Sequence, residues 1–161
     1  MSVHRRGLRL PAHLADLMQP GSVRAGVLSG ATYPEDVLTN AATGEKVPDP
    51  RAGMPVAVIG AALEYGDGQN HPRPFMHTTA AKQGDSWAGA FVTLLKQGVP
   101  AERALGTVGQ VMKEDIQTTI LEWPADNAPS WAEFKGFDHG LVLTGHLSRS
   151  IADEVTMAGT D

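Results

Sequence analysis

Six histidines are the side chains of this 161-residue chain best suited to metal binding or acid–base chemistry: His4, His13, His71, His77, His139 and His146. The pairs His71/His77 and His139/His146 lack the i, i+4 spacing that sets two imidazoles on one helix face, and no matching carboxylate motif accompanies them. Loop or surface histidines are therefore the favoured interpretation. A small metal-dependent hydrolase that uses His71, His77 or His146 is kept as an alternative.

Other catalytic patterns in the chain are weak. Ser148, His146 and Asp153 can be written as a serine triad, but no GxSxG turn accompanies the serine. Glu64 can act as an acid or base if it is buried, although a hydrogen bond or ion pair at a helix end is the favoured role. The chain has no cysteine, which excludes disulfides, thiol nucleophiles and cysteine-based zinc sites. We predict no enzymatic activity, no cofactor and no metal.

Charge is distributed unevenly along the chain. The net charge is −5, but residues 1–10 contain Arg5, Arg6 and Arg9 and no acidic residue, so the remainder carries 10 − 18 = −8. An acidic body argues against a protein that binds nucleic acid mainly by electrostatics. The three arginines belong either to a solvated terminus or to a basic arm that contacts a phosphate backbone or an acidic neighbour. No apolar stretch is long enough to span a membrane.

The elements that position these side chains follow from hydrophobic spacing. Residues 8–18 place Leu10, Leu14, Leu17 and Met18 at helical spacing, which predicts a short amphipathic helix that ends at Pro20-Gly21. A half-buried strand is predicted over 23–28. The segment 29–55 is rich in proline and glycine and is predicted to be a long loop. Within that loop, Val37 to Thr39 and Glu45 to Val47 can pair as a hairpin.

Helices dominate the second half of the pattern. The apolar segment 56–65 fits a helix better than a strand, with Val56, Ile59 and Leu63 on one face. A helix is predicted over 75–97, with Phe75, Trp87 and Phe91 in the core and a possible interruption at 84–86. A regular helix follows over 100–121, then one or two turns over 129–134 and a closing strand over 151–157.

The sequence therefore predicts an α+β fold: a small, mainly antiparallel sheet packed by two long helices, with a long loop or hairpin after the first strand. We predict a single domain over 1–161. It comprises an N-terminal helix or arm (1–22), a core (23–155) and a short tail (156–161).

Three segments together carry a family resemblance. The first is VRAGVL (23–28) followed by GATYP (30–34), and the second is VAVIGAALEYG (56–66) leading into Arg73-Pro74-Phe75-Met76. The third begins with NAPS (127–130) and runs through KGFDH (135–139) to LVLTGHL (141–147) and Ser150-Ile151. In this order they resemble the tail-completion, or head–tail joining, proteins of the neck of long-tailed bacteriophages. The run ALEYG (62–66) and the length of the 29–55 loop depart from that pattern.

The resemblance implies a structural protein of the virion, assembled in the host cytoplasm. Copies would form a ring, a hexamer, between the head connector and the tail, next to other neck or tail-terminator proteins, and DNA would pass through without sequence-specific binding. The motif positions are expected to define the fold first and contact partners second: Arg73, Pro74, Phe75, Thr144, Gly145, Leu147 and Ser150. Tail terminator, head-completion protein and minor tail protein are the alternative roles.

Overall fold

The computed structural model describes residues 20–68 and 70–158. The predicted helix over 8–18, the basic residues Arg5, Arg6 and Arg9, and His4 and His13 lie outside this range. In chain order the elements are β1 (Gly21–Val27), β2 (Val37–Thr39), β3 (Lys46–Pro48), α1 (Val56–Tyr65), α2 (Phe75–Lys96), α3 (Ala101–Leu121), α4 (Pro129–Lys135), α5 (His146–Arg149) and β4 (Ile151–Met157). The α+β class is confirmed, and the two long helices are α2 and α3.

The first and last strands form a two-stranded antiparallel ribbon. β1 pairs with β4 from Gly21↔Met157 to Val27↔Ile151. Because side chains alternate across a strand, Val23 and Val155 share the face that packs on α3, while Arg24 and its cross-strand partner Glu154 are exposed on the other face. The predicted half-buried strand is therefore present, and it begins two residues earlier than predicted.

The hairpin in the 29–55 segment is a second, separate sheet. β2 pairs with β3 from Val37↔Pro48 to Thr39↔Lys46, close to the predicted arms. The Asn40 side chain stabilises the turn, because its Oδ1 accepts the backbone N–H of Ala42 at 2.9 Å. The small sheet that the sequence predicted is thus two pairs of strands in the described part of the chain.

The hydrophobic core lies where the start of α2, the end of α3 and the start of β4 meet. Its buried members are Tyr33, Val56, Phe75, Ile116, Ile120, Leu141, Leu147 and Ile151. Ile116 and Ile120 are one helical turn apart on α3 and face Phe75 of α2 within this cluster. Of the helices, α1, α2 and α3 contribute Val56, Phe75, Ile116 and Ile120 to this cluster.

Two of the aromatic residues predicted for the core lie outside it. Trp87 and Phe91 are only half-buried, and the buried residues of α2 are Phe75 and Thr79, both in its first two turns. Beyond Thr79 the main neighbour of α2 among the described elements is α3, so none of these elements covers the opposite side of the helix. Trp87 is held there by its Nε1–H, which donates to Asp115 Oδ2 at 2.7 Å.

The possible interruption at 84–86 does not occur, because α2 is continuous from Phe75 to Lys96. Gly84 lies inside this helix, and a Cβ added there would meet no atom within 4 Å. We therefore expect Gly84→Ala to stabilise the protein by about 0.5–1 kcal/mol, because alanine loses less backbone entropy in a helix than glycine. Urea denaturation followed by circular dichroism measures this change.

Gly109 is the matched control for Gly84, since it lies in the interior of α3. A Cβ at Gly109 would lie 2.8 Å from Val23 Cγ2 and 2.9 Å from Asp153 Oδ2. We expect Gly109→Ala to destabilise the protein by about 1–3 kcal/mol through overpacking. Equal stabilisation by both substitutions would contradict the close packing of α3 on the ribbon.

Candidate assembly site

The end of α1 is fastened to the beginning of α2 through Glu64. This buried carboxylate accepts the backbone N–H groups of Met76 and His77, both at 2.9 Å. Those groups belong to the first turn of α2, where N–H groups have no partner within the helix and negative charge is favourable. Pro74 occupies the N-cap position, and its side chain has no oxygen that could accept these N–H groups. The structural role predicted for Glu64 is therefore confirmed.

Buried Arg73, one residue before that cap, forms an ion pair with the half-buried Asp126. Arg73 Nε lies 2.9 and 3.0 Å from the two carboxylate oxygens, and Nη2 donates to the Asp126 carbonyl at 3.2 Å. Asp126 also bonds His71 Nε2 at 3.0 Å and Trp123 Nε1 at 3.1 Å. This network joins the entry to α2 with the segment that leaves α3.

The second motif forms a single helical turn before β4. Gly145 adopts φ 71° at the start of α5, a conformation that glycine takes without strain. Ser148 Oγ donates to the Gly145 carbonyl at 3.0 Å and Ser150 Oγ to the His146 carbonyl at 2.8 Å. Leu147 points into the core. The predicted turn at Thr144-Gly145 does redirect the chain into β4, and α5 is an element that the sequence pattern did not show.

Both motifs meet at one cleft of about 340 Å³. Arg73 lines one side of it, and Thr144, Gly145 and Leu147 line the other. Phe75 and Leu147 also belong to the same core cluster. Two segments about 70 residues apart in sequence are thus brought together, as expected of positions that define the fold.

A second ion pair lies within the long 29–55 segment, where that segment lines the cleft. Arg51 makes a two-pronged contact with buried Asp49, at 2.9 Å from Nε and 2.7 Å from Nη2. The Arg51 guanidinium lies 4.5 Å from the centre of the Tyr33 ring, and burial raises the pKa of that tyrosine. The segment is therefore folded against the core, and neither Asp49 nor Arg51 was identified from the sequence.

Lys135 is the third cation on the wall of the cleft. It is buried at the end of α4, where its Nζ donates to the His139 carbonyl at 2.6 Å. Nζ also lies 4.7 Å from the centre of the Phe137 ring. Burial lowers the pKa of Lys135. No pattern in the sequence distinguished this lysine from solvated ones.

Stability should depend on pH through the carboxylates of Asp49 and Asp126. The hydrogen bond from Arg51 lowers the pKa of Asp49, against the opposing effect of burial. Burial would raise the pKa of Asp126, but hydrogen bonds from Arg73 and its other donors outweigh it and lower the pKa. Because the folded state holds fewer protons than the unfolded state, this stabilisation is complete above about pH 4 and is lost as the pH falls below it.

We expect the urea midpoint to fall between pH 6 and pH 3, and to fall less in an Asp126→Asn variant, which lacks one of the two titrating groups. Circular dichroism at each pH measures both slopes. Parallel slopes for the two proteins would show that Asp126 does not contribute.

The three residues of the hypothetical serine triad bond to separate groups. Ser148 donates to the Gly145 carbonyl, His146 Nε2 lies 3.0 Å from the Thr32 carbonyl, and Asp153 accepts from Gln110 Nε2 at 2.8 Å. His71 is engaged by Asp126, and His77 is exposed. Within residues 20–68 and 70–158, no three His, Asp or Glu side chains are placed to hold a metal ion.

The outward side of α1 carries an exposed apolar row, here called the α1 stripe. It consists of Met54, just before the helix, and Val58, Ala61 and Tyr65, all exposed. Val58 is 53% exposed and Tyr65 78%. The spacing of 3 and 4 residues places Val58, Ala61 and Tyr65 along one line on the helix surface, and Met54 lies just before the N-cap Pro55. The sequence pattern of 56–65 is apolar on every side, so it did not show which side would face solvent.

No helix in the described part of the chain is both long and apolar enough to cross a bilayer. The chain was also compared with known proteins. No protein-family model, no curated protein and no solved structure matches it.

Proposed function

We propose that this chain is a structural protein of the phage neck: a tail-completion subunit whose copies form a ring that joins the head connector to the tail. The α1 stripe is the observation that carries the proposal, because a row of exposed apolar side chains on a helix favours contact with another protein. The motif residues and the charge of the chain support it.

A helix that is apolar on all sides is typical of a buried position. The only charged residue of α1 is Glu64, which is buried against the first turn of α2. In a single copy, however, Val58 and Tyr65 face solvent. Single exposed apolar side chains are ordinary, whereas a continuous row of them marks a site of protein contact. The stripe therefore favours assembly with other protein subunits over an isolated protein.

The positions of the motif residues in the fold support the resemblance to the neck proteins. Arg73 and Phe75 anchor the start of α2, while Leu147 and Ser150 form the turn that leads into β4. These are fold-defining roles, as the resemblance implies. A ring of identical subunits needs two different surfaces that fit each other and close on themselves. The α1 stripe supplies one of them.

The negative charge of the chain is consistent with DNA that passes through the ring without being bound tightly. The chain beyond residue 10 carries a net charge of −8, and binding by release of counterions requires clustered Lys and Arg. We propose that DNA crosses the ring during ejection without sequence-specific contacts, and that the protein resides in the virion. Tail terminator, head-completion and minor tail roles share these features, and a particle reconstruction that locates the chain separates them.

The test of the ring compares Val58→Asp with Val92→Asp. Both substitutions place a charge at an exposed valine, on the α1 stripe and on the open side of α2 respectively. Sedimentation velocity should show a closed oligomer for the wild-type chain and for Val92→Asp, and a monomer for Val58→Asp.

Circular dichroism of each variant checks that it is folded. Unchanged assembly of Val58→Asp would overturn the role of the stripe. Absence of the chain from purified tailed particles of the virus that encodes it, measured by mass spectrometry, would overturn the neck function itself.

A further inference from the structure

We propose that residues 8–18 of one copy dock on the α1 stripe of the neighbouring copy. This inference rests on the proposed ring. A ring interface needs two surfaces that fit each other: the α1 stripe is one, and residues 8–18 are the other. It is carried by three properties: apolar spacing, charge, and the reach of the chain before Pro20.

The apolar residues of the two partners have matching spacing. On α1 the stripe has steps of 3 and 4 residues from Val58 through Ala61 to Tyr65. The segment 8–18 has steps of 4 and 3 residues from Leu10 through Leu14 to Leu17, followed by Met18. As a helix, the eleven residues of 8–18 would extend about 16 Å, and the ten residues of α1 extend about 15 Å. Each partner can therefore cover the whole apolar row of the other.

Charge complementarity sets the direction of docking. Glu35 and Asp36 are exposed, and no ion pair engages either of them within the described residues. They lie beside the N-terminal end of the stripe, because Tyr33 exchanges backbone hydrogen bonds with Gly53 and Met54 at 2.9 Å. Arg5, Arg6 and Arg9 precede the apolar segment. A parallel arrangement places these arginines beside the two carboxylates and Leu14 beside Val58.

The reach of the chain favours another copy as the partner. Gly21 begins β1, whereas α1 meets that strand at its far end: a Cβ on Gly60 would lie 3.7 Å from Val27 Cγ2. Seven residues of strand separate these ends by roughly 20 Å. Leu17 is three residues from Pro20 and can lie no more than about 10 Å from it. A segment that joins the protein at the Gly21 end of β1 is therefore better placed to cover the stripe of a neighbouring copy than that of its own chain.

Disulfide trapping tests the docking directly, because the natural chain has no cysteine. One protein carries Leu14→Cys and a second carries Val58→Cys. The two are mixed in equal amounts, oxidised mildly, and analysed by mass spectrometry for the peptide that joins positions 14 and 58. The control replaces Val58→Cys with Ala90→Cys, an exposed position on α2.

We expect the 14–58 disulfide to exceed the 14–90 disulfide on the order of tenfold, because docking raises the local concentration of the two thiols. Glu35→Lys with Asp36→Lys should reduce the 14–58 yield, and Arg5→Glu, Arg6→Glu and Arg9→Glu together should restore it in that background. Equal 14–58 and 14–90 yields would overturn the docking. So would a 58–58 disulfide as the main product, which would mean that two α1 stripes face each other.

The outcomes also separate this inference from the function on which it rests. A wild-type oligomer that yields no 14–58 disulfide, or one that persists after deletion of residues 1–19, overturns the docking and leaves the ring intact. A chain that neither assembles nor occurs in tailed particles overturns both.

Discussion

Replacing Phe75 with alanine is expected to lower the free energy of unfolding by about 3–5 kcal/mol. The Phe75 side chain is 1% exposed and packs with Ile116, Ile120 and Leu147 in the core cluster. It is also the first residue of α2, held in place between the Arg73 ion pair and the Glu64 cap. Because the chain is fixed on both sides of Phe75, its neighbours have little freedom to collapse into the space left by the removed phenyl group.

Urea denaturation of the purified protein measures this loss, with Phe137→Ala as the matched control. Phe137 is 42% exposed and contacts the Lys135 ammonium, a kind of interaction worth about 1 kcal/mol or less at an exposed site. Equal, small losses of unfolding free energy for both variants would mean that Phe75 does not anchor α2, and would contradict the packing of the core around it.

Replacing Asp126 with alanine is expected to cost about 3 kcal/mol, because it leaves the buried Arg73 guanidinium without its counter-charge. His71 and Trp123 lose an acceptor in the same variant. The penalty comes mainly from the unpaired charge. The double variant Arg73→Met/Asp126→Ala should therefore regain part of the loss, since methionine needs no counter-charge.

The exposed pair Arg24–Glu154 is the control for this experiment. Its atoms approach to 2.6 Å, yet both side chains are largely in solvent, so Glu154→Ala should cost less than about 1 kcal/mol. Comparison of the urea midpoints of these variants tests the difference in burial. A double variant less stable than Asp126→Ala would contradict the unpaired-charge explanation.

Much of the secondary structure was predictable from periodicity. Apolar residues from Leu105 to Ile120 recur every three or four positions, and the structure has α3 over that range. The hairpin was predicted from an Asn-to-Gly turn between two short β-prone runs, and β2 and β3 lie within one residue of it. These patterns work because the hydrogen bonds of a helix or a tight turn join residues that are close in sequence.

The side chains of the site were predictable only in part. Arg73, Phe75 and Leu147 were identified by the resemblance, and the structure places all three in the cleft or the core. Asp126 was missed, because an aspartate 53 residues after Arg73 in a proline-containing segment has no local signature. Trp87 was wrongly assigned to the core, since an apolar stripe on a helix does not show where the covering elements end.

The sequence alone determined most of the described elements, the uneven charge and the absence of thiol chemistry, because each depends on residue identity and on short-range spacing. Only the tertiary structure decided which partners the buried charges have and which side of α1 is exposed. Val58 and Gly60 are two residues apart on a helix that is apolar all round, yet one faces solvent and the other packs on β1. That difference arises from contacts between segments far apart in the chain, where burial and charge pairing are set by the packing of whole elements.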